Sequence, residues 1–127
     1  MEHSILFPHV RVGKGARIAN SIVMDYNSIG GGALLVNSIV CDNNELFSRI
    51  TPNIGDNVRI GEEGCSGANA LYPELLNGGI TMVGRNVEIP GRVTVSRNCY
   101  ISSDTGKTCF RGKNKVEAGD SILAPEG

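Results

Sequence analysis

Large rings are nearly missing from this sequence: no Trp, three Phe and three Tyr among 127 residues. Its core therefore has to be assembled from aliphatic side chains. There are two histidines, His3 and His9, which cannot supply the three imidazoles of a His3 metal centre within one chain. An excess of one charge is also missing. Lys and Arg number 12, Asp and Glu 13, and the net charge is −1. That balance sets aside a nucleic-acid module, which carries a basic excess as its electrostatic footprint. No apolar run approaches the ~18–20 residues of a membrane span. Met1 is followed by Glu2 and His3, not by the basic and then apolar segment of a secretory leader. The four cysteines, Cys41, Cys65, Cys99 and Cys109, form no CxxC pair, so a zinc ribbon is excluded. They read as reduced, packed thiols of a cytoplasmic protein. No Ser/His/Asp set, paired-carboxylate motif or P-loop is present.

What is there points to short strands and many turns. Gly numbers 17, roughly twice ordinary usage. Asn numbers 12, and Ile and Val together 23. Apolar residues make up 40%, too many for a disordered chain.

An internal repeat organises them. Ser4-Ile5-Leu6, Ser21-Ile22-Val23 and Ser38-Ile39-Val40 recur at a step of 17 residues, and Gly13, Gly15 and Ala16 align with Gly30, Gly32 and Ala33. Within the repeat lies a period of six, continued by Ile54-Gly-Asp-Asn-Val-Arg59 and by three consecutive units from Val83 to Tyr100. Each unit reads aliphatic, small, two polar or turn residues, small apolar, polar. Six fits neither the 3.6-residue helical period nor a long alternating strand. It fits a coil that turns a corner in every unit, with residues one and five pointing inward. The fourth residue is Gly15, Gly32, Asn57, Asn86 or Asn98, the types that tolerate positive φ; Arg92 departs from this. Three units make one triangular turn of a parallel β-helix, each strand pairing with one about 17–18 residues later. The 17-residue block divides as 6+6+5, with the short unit at 24–28.

The fold expected is all-β, a single β-helix domain over 1–127 with one short helical excursion. Residues 62–79 leave the frame. Within them 69–77 reads as a short helix with Leu71, Leu75 and Leu76 on its apolar face, stopped by Gly78-Gly79. The excursion packs back on the coils or serves as a lid or clasp. The tail, 102–127, also leaves the period and forms a cap, with Val116 to Leu123 returning as a strand. Arg85, Arg97, Lys107, Arg111 and Lys113 are candidate contacts for an anionic effector. Gly30-Gly31-Gly32 is not a phosphate loop, because no helix follows and its repeat partner is the ordinary Gly13-Lys14-Gly15 corner. His9, after Pro8, reads as a turn residue rather than a base.

The segments Ser4-Ile-Leu-Phe-Pro-His-Val-Arg-Val-Gly-Lys-Gly-Ala-Arg-Ile-Ala-Asn-Ser-Ile-Val-Met-Asp25 and Tyr72-Pro-Glu-Leu-Leu-Asn-Gly-Gly-Ile-Thr-Met-Val-Gly-Arg-Asn-Val-Glu-Ile-Pro90 resemble the C-terminal β-helix of ADP-glucose pyrophosphorylase (glucose-1-phosphate adenylyltransferase). The resemblance covers roughly residues 3–101. It implies a left-handed coil, although ordinary crossovers favour the right hand. It also implies an assembly and regulatory domain that is non-catalytic by itself. The family's nucleotide loop, metal-binding Asp and sugar-binding residues have no counterpart here, so the catalytic nucleotidyltransferase domain is absent from these residues. The parent enzyme implied uses Mg2+ to make ADP-glucose and pyrophosphate from ATP and glucose 1-phosphate for glycogen or starch. A related mannose-1-phosphate and GTP enzyme is the other candidate parent. This chain needs no cofactor of its own on that reading. Its partners are a nucleotidyltransferase domain and further copies of itself, with neither nucleic acid nor membrane. The alternatives are a stand-alone hexapeptide acyltransferase and a protein-binding scaffold.

Overall fold

The computed structural model describes residues 4–42, 52–61, 69–71, 79–110, 114–117 and 119–123, with backbone alone at Lys107 and Thr108. The chain winds as a three-sided coil of short parallel strands. The first side is a six-stranded sheet of β1 (Ile5–Leu6), β4 (Ile22–Val23), β7 (Ser38–Val40), β9 (Thr81–Val83), β11 (Tyr100–Ile101) and β13 (Ser121–Ile122). The second holds β3 (Arg17–Ala19), β6 (Leu34–Val36), β8 (Arg59–Ile60), β10 (Thr94–Val95) and β12 (Lys115–Val116). The third pairs β2 (Arg11–Val12) with β5 (Ser28–Ile29) and continues through single bridges from Ile29 to Ile54 and Ile54 to Ile89. This is a parallel β-helix built on hexapeptides.

The period of six produces the coil because its inward positions are filled in every unit. First-position residues Ile18, Val23, Ile29, Leu35, Ile54, Ile60, Val83, Ile89, Val95 and Ile101 are buried. So are fifth-position residues Ala33, Val58, Val87, Val93 and Cys99. Stacking places like on like: Leu35 pairs with Ile60, and Ile60 with Val95. Branched aliphatic side chains suit this column, because the pleat holds their single favoured rotamer against the rung above.

The corners follow the expected residues. Gly15, Gly32, Asn57, Asn86 and Asn98 all have positive φ, at 78°, 71°, 59°, 54° and 56°. Arg92, which departs in type, adopts the same backbone with φ 66°. The geometry of the coil imposes this conformation whatever residue stands there, and a side chain without Gly or Asn character bears strain of about 1–2 kcal/mol.

One boundary differs from the sequence reading. The short unit is 18–22, repeated at 35–39, and not 24–28. Ser21 and Ser38 are buried while Ile22 and Ile39 face outward. The corners there are Asn20 and Asn37, with φ 50° and 49°. The physical reason is a tight hydroxyl-tied turn: Ser21 Oγ donates to Ala19 O at 2.8 Å and Ser38 Oγ to Val36 O at 2.8 Å. The hydroxyls of Ser4 and Ser21 also accept a backbone N–H from the next coil: Ser21 N donates to Ser4 Oγ, and Ser38 N to Ser21 Oγ. Because Ile22 and Val23 are both aliphatic, the sequence alone permits either frame.

The tail returns to the coil as two short strands where the sequence suggested one. Its strands keep the coil, β12 beside β10 and β13 beside β11. Phe110, at the end of a 3-10 turn over Lys107–Phe110, is buried in the core. Of the excursion only 69–71 and Gly79 are described; 69–71 are not helical, and the rest of the helix expected over 69–77 lies outside the described residues. Asn69 is fully buried, its amide donating to Asn98 O, Asp120 O and Ser121 Oγ. Ala70 N donates to Gly119 O. This part of the excursion is tied back on the coils.

Candidate functional site

Three edges and three faces are available to a solenoid, and each carries a different chemistry here. The outer face of the six-stranded sheet presents Ile5, Ile22, Ile39, Met82, Tyr100 and Ser121 in one register column. No charged residue interrupts it. Ile5 is 58% exposed and the other five half-buried. Beside Ile5, Phe7 is 40% exposed. From Ile5 to Tyr100 the strip is apolar and uncharged, the kind of surface that makes a candidate contact face.

The edge after this sheet carries polar groups that are largely consumed internally. Arg85 Nε lies 3.2 Å from Asp42 Oδ1, both side chains well exposed. Asn86 Nδ2 donates to Asp104 Oδ1 at 3.3 Å. His9 and Tyr26 sit at the equivalent corner of the first two coils with their rings stacked, centroids 4.8 Å apart and 4° from parallel. His9 has positive φ and an exposed position, as expected of a turn residue.

The sequence-predicted anion contacts do not converge among the described residues. Arg85 stands at the edge that follows the six-stranded sheet. Arg97 stands at the edge that precedes it, next to Asn98 and near Gly79, its Nε buried with no partner among the described residues. The side chain of Lys107, and Arg111 and Lys113 altogether, lie outside the described residues.

The glycine triplet is accounted for by the rungs. Gly30 N donates to Ile54 O, Gly31 N to Asp56 Oδ1 and Gly32 N to Lys14 O. No N–H remains to cradle a phosphate. Gly13 and Gly30 are required by contact, since a Cβ at either would sit within 3 Å of the next coil's backbone.

Cys99 is buried, and its Sγ donates to Glu117 O at 3.1 Å. Burial pushes its thiol up to about 11, so it carries no thiolate near neutral pH and is inert. Cys41 is raised as well, first by burial and then by the Asp42 carboxylate. Among the described residues no three His, Cys, Asp or Glu side chains gather as metal ligands would.

Sequence reasoning missed two features. One is the uncharged column, which becomes visible only once Ile22 and Ile39 are known to face outward. The other is a group of cations at the glycine corner: Lys14, Arg17, Arg59 and Arg92. The signal for the second was the shared sixth position of Arg17 and Arg59 in their hexads.

Residues 1–83 match the family model described as GlmU-like, C-terminal hexapeptide. Among curated proteins, glucose-1-phosphate adenylyltransferase of Thermotoga neapolitana is 39% identical over 124 residues, taking in 98% of this chain and 27% of that protein. The enzyme of the same name from Acetivibrio thermocellus is 29% identical over 123 residues, 97% of this chain and 26% of that protein. That of Thermomicrobium roseum is 36% identical over 69 residues, 54% of this chain and 16% of that protein. The chain thus spans about a quarter of the length of the first two of these. No solved structure gives a match.

Proposed function

The chain belongs to the GlmU-like, C-terminal hexapeptide family, and from that premise we propose that it is the assembly and regulatory domain of a glucose-1-phosphate adenylyltransferase. The parent reaction joins ATP and glucose 1-phosphate to give ADP-glucose and pyrophosphate, with Mg2+ bound by residues of a nucleotidyltransferase domain. This chain contributes no reacting group. Its partners are that domain and a second copy of itself.

The observation that carries the reading is the uncharged column Ile5, Ile22, Ile39, Met82 and Tyr100 on one flat sheet face. Two such faces associate without burying a charge, and the buried aliphatic and aromatic area supplies the driving force at ~25 cal/mol per Å². A rigid coil holds the column straight, which a loop surface would not.

The test of the non-catalytic part is an assay of pyrophosphate release. With ATP, glucose 1-phosphate and Mg2+, the chain alone is expected to give no turnover above buffer. Turnover by the chain alone contradicts the proposal.

A further inference from the structure

Asn98 stands at the corner between β10 and β11, and two described points of the excursion hang on it. Asn69 Nδ2 donates to Asn98 O at 2.9 Å, and Gly79 N donates to Asn98 Oδ1 at 2.7 Å. Asn98 is fully buried, with φ 56°. Asn tolerates that conformation and also offers a side-chain carbonyl, which Gly would not.

Asn69 reaches one rung further. Its amide also donates to Asp120 O at 3.2 Å and to Ser121 Oγ at 3.1 Å, at the next corner in the stack, between β12 and β13. Two hydrogens are thus shared among three acceptors on two successive corners. Its own Oδ1 accepts the Leu71 N–H at 2.9 Å, and Ala70 N donates to Gly119 O at 2.9 Å. Asn69 is buried, whereas Ala70 and Leu71 are exposed. Over these three residues the attachment is therefore polar: one buried amide and one backbone bond.

The turn so held is lightly built. β12 and β13 are two residues long, and each ends its sheet. Among the described residues they bury two apolar side chains, Val116 and Ile122. A cleft of about 230 Å³ is lined by residues of both strands. Rung bonds tie the turn to the coil before it: Thr94 N donates to Asn114 O, Ser96 N to Val116 O, Tyr100 N to Asp120 O and Ser102 N to Ile122 O. Short terminal strands with little buried apolar area open at low free energy, and a bond from outside the turn raises that cost.

We propose that Asn69 is a clasp: it holds β12, β13 and the corner between them closed on the solenoid, and this last turn opens as a unit when the clasp is released. Opening uncovers the edges of β10 and β11, whose freed N–H groups form a template for another strand. It also uncovers Cys99, whose thiol donates to Glu117 O in the closed turn. The excursion is thereby coupled to the state of the solenoid's end. The inference does not rest on the identity of the parent enzyme.

Alkylation of Cys99 by iodoacetamide in the full chain, followed on its own peptide by mass spectrometry, reads the opening. Asn69→Ala removes the shared donors and should raise the Cys99 rate about tenfold. Ser121→Ala removes one acceptor of three and should raise it less. Hydrogen exchange locates the change. In Asn69→Ala the amides of Thr94, Ser96, Tyr100 and Ser102 should lose protection together, while those of Gly30, Leu34 and Arg59, in the middle coils, keep theirs. Should that variant fail to fold, the wild-type chain in sub-denaturing urea gives the same reading: the four amides should exchange as one group, ahead of Gly30, Leu34 and Arg59. An unchanged Cys99 rate in Asn69→Ala, or protection lost evenly along the solenoid, would overturn the proposal. So would four wild-type amides that exchange no faster than those of the middle coils.

Discussion

Replacing Gly61 by alanine is expected to destabilise the coil by about 3–4 kcal/mol. Gly61 is buried at the corner between the second and first sheets, with φ 84°. An alanine there meets two costs. The left-handed conformation costs an L-residue roughly 1–2 kcal/mol. The added Cβ would collide with Val36 O and sit 3.0 Å from Ser38 Oγ, an overpacking worth roughly 1–3 kcal/mol. The Val36 carbonyl accepts the Ser38 hydroxyl, and moving it releases the turn that defines the five-residue unit. Against a typical stability of about 5–15 kcal/mol, the loss is a large fraction of the total. Urea unfolding checks it, with Gly106→Ala as the control, because nothing lies within 4 Å of a Cβ at Gly106. The control should change stability by no more than about 0.5 kcal/mol. A Gly61→Ala loss below 1 kcal/mol would show that the corner is not packed as described.

The second large effect is expected at Asn53. Its side chain is buried yet fully employed. Oδ1 accepts Ser28 N–H at 2.6 Å, and Nδ2 donates to Asn27 Oδ1 at 2.8 Å and to Val87 O at 3.3 Å. Asn27 in turn donates to Met24 O and Cys41 O. The two amides bridge consecutive coils where the third side has only single bridges in place of a full strand pair. Asn53→Ala orphans a buried N–H and a buried amide oxygen. Each unsatisfied group costs about 1–3 kcal/mol, so a loss of about 2–4 kcal/mol follows. Asn57→Gly is the matched control. Asn57 is exposed with φ 59°, so glycine there should be nearly neutral. If Asn53→Ala were as mild as the control, the buried amide ladder would not contribute to holding the coils.

Much of this architecture was legible because the coil writes its period into the sequence. A residue that must fill the same inward slot in each unit has to be aliphatic each time. A corner needing positive φ selects Gly or Asn. Those two demands made the hexads readable from Val12 to Tyr100. Where two chemistries satisfied one demand, the reading slipped. Ile22 and Val23 are interchangeable by hydropathy, so the sequence allows the short unit at 24–28, and the Ser21 and Ser38 hydroxyl bonds fix it at 18–22 and 35–39. Asn53 carried no pattern at all, since a buried amide is recognised by its partners and not by its spacing. In the tail, Phe110 and the 3-10 turn interrupt the hexads before Val116 and Ile122 resume them, which is why the period breaks there and a returning strand is still legible.

The surface was less legible for a related reason. Chain proximity grouped Arg85, Arg97, Lys107, Arg111 and Lys113 as one cluster, yet a coil that turns a corner every six residues sends neighbours in sequence to different edges. Arg85 and Arg97 are twelve positions and two corners apart. Arg17 and Arg59, far apart in sequence, share one column because each coil returns to the same edge.

The claim that one uncharged sheet face makes this an assembly domain is tested most directly by sedimentation equilibrium of the chain and its Ile39→Asp variant. Ile39 lies mid-column and half-buried, its side chain outside the core, so the variant should fold. The account predicts a wild-type mass above 13.5 kDa that rises with concentration, and a variant that remains monomeric at the same concentrations. A wild-type monomer throughout, or a variant that associates as the wild type does, would contradict it.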